Sequence, residues 1–160
     1  SLIDQLAALD RPDPDLWHKV IRDFDPARAE QRNAALWCGR QLTCHRASVA
    51  LLLHRLAQEG VVIDSCVLPR LDEILANWGA GRYSGRALGL DPADQVAGSA
   101  PDVARLLDRL AEQTDSPRLP DPVGLFDVYD GRAPLPRPAW QLDGGLCAAP
   151  EPVDYLLPPA

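Results

Sequence analysis

Apolar positions along the chain fall into a few helical rhythms separated by proline and glycine punctuation. After Asp13-Pro14, the residues Trp17, Val20, Ile21 and Phe24 recur at i, i+3, i+4 and i+7, the spacing of one apolar helix face. Leu71, Ile74, Leu75 and Trp78 repeat it after Pro69, with Gly79 placed to end that helix in a left-handed cap. Val103, Leu106, Leu107 and Leu110 repeat it again after Ser99-Ala100-Pro101-Asp102, and Leu2, Ile3, Leu6 and Leu9 form a short opening helix. Asp13-Pro14, Asp25-Pro26 and Asp91-Pro92 each set an N-cap acceptor before a proline suited to the first helical position.

Residues 26 to 58 read as one long helix. Its heptad positions are Ala35, Cys38, Leu42, His45, Val49, Leu52 and Leu56, and a second stripe of Trp37, Cys44 and Leu51 runs on the opposite side. A helix apolar on two faces is sandwiched, so this segment is expected to be the central helix of the fold. Residues 79 to 91 then form a glycine-rich loop leading to a short helix begun by Asp91-Pro92.

From Pro117 the rhythm stops, because this stretch holds ten of the sixteen prolines and only three basic residues against six acidic ones. Val123 to Tyr129 has the composition of a short strand and Asp130-Gly131 that of a turn, but the prolines that follow bar a central strand. The expected architecture is mainly α: a helical bundle around one long central helix over residues 1–116, and an extended Pro-rich acidic arm over 117–160. Leu125, Phe126, Tyr129, Trp140, Tyr155, Leu156 and Leu157 are too many apolar side chains for a solvated tail, so the arm packs on its own body or on another protein.

A formal net charge of −7 works against nucleic acid and anionic membrane surfaces, which need a basic face, and leaves a basic or neutral protein as the expected partner. The longest apolar run, Val49 to Leu53, is far short of the roughly 20 residues of a membrane span. The opening SLIDQLAALD is amphipathic and unlike a secretory leader. Cys38, Cys44, Cys66 and Cys147 lack paired spacing, which fits reduced thiols and a cytoplasmic location.

Candidate chemistry is sparse. Cys38 and His45 share a helix face but stand about 10 Å apart along the axis at a rise of about 1.5 Å per residue, and adjacent Cys44 and His45 point about 100° apart. A metal site built on His45, Cys38 and Cys44 therefore needs Cys66 or Cys147 to fold back, and His45 alone could ligate a haem. The simpler reading makes the thiols small core residues and His45 a hydrogen-bonded buried histidine, with no cofactor. His18 and His54 fall off the apolar stripes and are expected at the surface.

Arg82, Tyr83 and Arg86 form a possible anion-contacting patch, although GAGRYSG lacks phosphate-loop spacing. Asp72 and Glu73, like Asp13 and Asp15, sit where helix first turns favour acids. Trp140 in PRPAWQL, with Phe126, Tyr129 and Tyr155, offers stiffly presented aromatic anchors for a partner. The function expected from these features is a non-enzymatic protein-binding module, acting as an accessory subunit, chaperone-like factor or inhibitor. The alternatives are a metal or haem protein centred on His45 and a small subunit of an enzyme complex.

Overall fold

The computed structural model describes residues 1–91 and 100–136. Six helices order these residues: α1 Leu2–Ala7, α2 Pro14–Asp23, α3 Ala29–Arg40, α4 Arg46–Gln58, α5 Val67–Gly79 and α6 Ala100–Thr114. Local chemistry accounts for several of the ends. Ser1 and Asp4 form a reciprocal capping box on α1. Asp13 accepts the Leu16 N–H at 3.1 Å with Pro14 in the first turn of α2. The Asp64 carboxylate accepts the N–H groups of both Cys66 and Val67 at 2.9 Å ahead of α5.

Some punctuation acts a step away from where the sequence suggests. Asp25 accepts the Ala27 N–H in a turn and α3 begins three residues beyond Pro26. Gly79 is the last residue of α5, while the left-handed conformation falls on Gly81 at φ 67°. The short helix expected after Asp91 lies outside the described residues.

The long helix over 26–58 does not form; the chain makes α3 and α4 instead, joined by a turn at residues 41–45. One helix of that length would run about 50 Å, at about 1.5 Å per residue, and could not bury two faces within so short a chain. The turn satisfies its own backbone: Gln41 N–H donates to Cys38, Cys44 N–H donates to Gln41 at 2.8 Å, and the Gln41 side chain donates to the Trp37 carbonyl. His45 is extended at φ −71° and ψ 149°. The break moves Leu42 from the anticipated apolar seam to half exposure.

Burial along α4 is continuous from Ala47 through His54. It packs on α2, α3 and α6, while α3 packs on α1, α2 and α5. The core therefore sits around a helix pair. Gly39 makes the pair possible: a Cβ there would overlap the end of Leu52 from α4 and stand 3.2 Å from Ile74 of α5.

Residues 117–136 carry no helix and lie against this body. The strand expected at 123–129 is a run of turns, with Gly124 at φ 78° and Asp127 N–H donating to the Gly124 carbonyl. Asp130-Gly131 closes no hairpin. Instead Leu88 and Arg132 make an isolated parallel bridge, in which Gly89 N–H donates to Arg132 and Arg132 N–H donates to Ala87.

Candidate functional site

The side chains at the head of α4 fix the non-helical segments in place. His45, at the N-cap, uses Nδ1 to accept the Leu88 N–H at 3.1 Å. Arg46 stacks over the Trp78 ring at 3.9 Å and donates to the Val123 carbonyl at 2.9 Å. Trp78 donates its indole N–H to that same carbonyl at 3.0 Å. Further along α4, buried His54 bonds the Leu125 carbonyl through Nε2 at 3.0 Å and meets the edge of Phe126. Two helices thus hold one irregular segment by its main chain, leaving side chains of that segment to face outward.

Beside the exposed charges of Arg118, Asp121, Asp127 and Asp130, what faces outward includes a group of large apolar side chains. Val123 is 84% exposed, Val128 75% and Phe126 51%, and Leu119 and Leu135 are also exposed. Among the described residues, only Leu42 and Val62 are comparable large apolar side chains outside this segment. Leu125 alone turns fully inward, and Tyr129 is half-buried with its hydroxyl donating to the Gly124 carbonyl at 2.5 Å. Beside this row, Leu119 to Val123 and the α5 residues Asp72, Leu75, Ala76 and Trp78 enclose a cleft of about 570 Å³, with Arg46 and Arg86 at its margin.

The expected anion patch is divided. Tyr83 is buried and donates its hydroxyl to the Gly39 carbonyl at 2.7 Å, so it belongs to the core; burial pushes its phenol above the ordinary range. Arg82 donates to the Asn77 side chain at 3.3 Å, while Arg86 is exposed at the cleft. The three do not act as a unit.

Cys38 and Cys44 are buried free thiols whose pKa values are raised by burial, and Cys66 is exposed at the head of α5. No three His, Cys, Asp or Glu side chains converge as a metal site among the described residues. His45 is committed to Leu88, and its ring occupies the space beside Gly85, where a Cβ would stand 2.6 Å from Cδ2. Trp140 and Tyr155 lie outside the described residues.

Both histidines expected at the surface are buried. His18 is 2% exposed and shares a 2.8 Å hydrogen bond with Ser48. This pairing within the core and the anchoring by His54 join residues 30 and 71 positions apart and leave no trace in local periodicity.

On the far side of the Leu88–Arg132 crossing, His18, Arg22, Gly89 to Asp91 and Gly131 to Pro134 line a second cleft of about 330 Å³. No helix among the described residues is long and apolar enough to cross a membrane. Comparison with protein-family models, curated proteins and solved structures finds no match for the chain.

Proposed function

We propose that the chain is a non-enzymatic protein-binding module that works within a complex as an accessory, chaperone-like or inhibitory factor. The observation that carries this reading is the exposed apolar row of Val123, Phe126 and Val128 on a main chain held by Trp78, Arg46 and His54. Apolar side chains on a pre-ordered backbone lose little entropy on binding, and an exposed aromatic among them is a natural anchor. Scattered exposed hydrophobics need no explanation, but their concentration on one segment does.

A basic or neutral protein remains the proposed partner class, given the net charge of −7. The free thiols Cys38, Cys44 and Cys66 support a reducing compartment such as the cytoplasm. Removing the whole segment would also expose Leu125 and uncover Trp78, so truncation would confuse folding with binding. The sharper experiment replaces Val123, Phe126 and Val128 together with serine. The complex isolated with the full chain should disappear while the melting temperature and helical signal hold; a complex that survives the triple change overturns this assignment of the binding face.

A further inference from the structure

The Leu88 amide can only donate, so the 3.1 Å contact fixes His45 Nδ1 as an acceptor and puts the neutral ring's proton on Nε2. The same ring is held against Gly85, while the Arg46 main-chain N–H donates to the Gly85 carbonyl at 2.9 Å. Residues 85–88 therefore grip the N-cap of α4 from two sides. The grip continues directly into the Leu88–Arg132 bridge, which keeps Leu88 and Leu90 buried.

We propose that His45 is a proton-operated latch: the neutral ring holds the crossing of residues 85–90 over 129–132 closed, and protonation releases it. A proton on Nδ1 would set one N–H against another at hydrogen-bond distance, and the contact would change from attraction to repulsion. The ring has no room to retreat toward Gly85. Release would uncover Leu88 and Leu90 as a new apolar surface.

The charges around the ring come from every side of the crossing. Arg132 on the 129–132 strap opposes protonation, and Asp15 on α2 favours it. Asp13 ahead of α2 acts on Arg132 in turn, while Arg46 on α4 is engaged with Trp78 and Arg86 on the gripping loop lies near Tyr129. Burial, followed by the Arg132 charge, holds His45 below the ordinary histidine value of about 6.5. The sign follows from linkage: the open state binds the proton more readily, so closure is complete above the ordinary value and weakens as pH falls toward the lower closed-state value. Within that interval the closed-to-open ratio drops about tenfold per pH unit.

The test is nuclear magnetic resonance on the isotope-labelled full chain between about pH 8 and about pH 5, spanning the histidine range. The His45 ring should show the Nε2–H tautomer at high pH. Its titration should coincide with the shift of the Leu88 amide and fall at the lower end of the linkage interval, over which Leu88 exchange protection is lost by about tenfold per pH unit. His45→Asn places a carbonyl oxygen near the Nδ1 position and cannot titrate, so Leu88 protection should become flat with pH.

Leu88 protection that stays constant from the ordinary histidine value down through the His45 titration overturns the latch. So does a ring that stays neutral throughout, or an undiminished pH response in folded His45→Asn. If that variant does not fold, the paired His45 and Leu88 titrations of the unaltered chain decide the matter alone.

Discussion

Arg132 reaches back 117 positions to hold both carboxylate oxygens of Asp15, at 2.9 Å each. The Asp15 carboxylate also accepts the Leu135 N–H at 2.7 Å, so one acid at the head of α2 positions the strap through two residues. Its side chain is 5% exposed, whereas that of Arg132 is 46% exposed, so solvent screens the pair in part while sparing the guanidinium a full desolvation cost. Arg132→Ala should cost about 1.5–3 kcal/mol, the range for hydrogen bonds to a charged group. A double-mutant cycle with Asp15→Ala in urea should return a coupling of about 1 kcal/mol or more. Additive losses would mean that the two groups do not stabilise one another.

Two backbones cross at Gly89 and Gly131 with no space for a side chain. A Cβ on Gly131 would lie 2.5 Å from the Ala87 carbonyl and 2.6 Å from the Gly89 nitrogen, both main-chain atoms that cannot swing aside. Gly131→Ala should therefore destabilise the chain by about 1–3 kcal/mol, as overpacking does. Loss of hydrogen-exchange protection at Gly89 and Arg132, whose amides form the crossing, should accompany the lower urea midpoint. Unchanged protection at both amides would show that the crossing accommodates the methyl.

The helical part of this architecture was legible where one turn informs the next. Trp17, Val20, Ile21 and Phe24, and later Leu71, Ile74, Leu75 and Trp78, are all buried as their spacing demands. The break between α3 and α4 was not legible, because Gln41, Leu42, Thr43 and Cys44 include neither proline nor glycine and Leu42 continues the heptad. Tertiary packing decides it: Gly39 admits Leu52, and Thr43 receives the Trp17 indole N–H at 3.3 Å. The candidate site was harder still. His45, Arg46 and Trp78 find partners 43, 77 and 45 positions away in segments without periodicity.

Gly39 sets two effects against each other. Alanine would gain about 1 kcal/mol in helix propensity, but its methyl would enter the volume of Leu52 and press on Ile74. Overpacking of a filled core costs about 1–3 kcal/mol, so Gly39→Ala should be destabilising on balance. Leu52→Ala removes the obstructing atoms, and Gly39→Ala in that background should recover stability where it loses it in the native core. Thermal melts of the four chains measure this reversal. A loss of equal size in both backgrounds would show that Leu52 is not what limits the approach of α3 and α4.

Thiol chemistry separates local from global opening at the α3–α4 turn. Cys66 is exposed, whereas Cys38 and Cys44 are buried with their pKa values raised, so both the population and the access of their thiolates are suppressed. Burial is the leading cause for each; the neighbouring thiol adds to it at Cys38, and Ser48 partly offsets it at Cys44. In a Cys147→Ser chain, iodoacetamide should modify Cys66 under native conditions and leave the other two slower by at least about a thousandfold, the scale set by unfolding. Cys38 lies in the last turns of α3, while Cys44 lies in the turn itself, so their relative rates carry the structural information. Equal rates for the pair that rise together with urea would mean that the turn opens only when the core does. Selective labelling of Cys44, with Cys38 protected, would instead make the turn and the adjoining His45 N-cap a unit that opens on its own. Peptide mapping of the modified protein distinguishes the two.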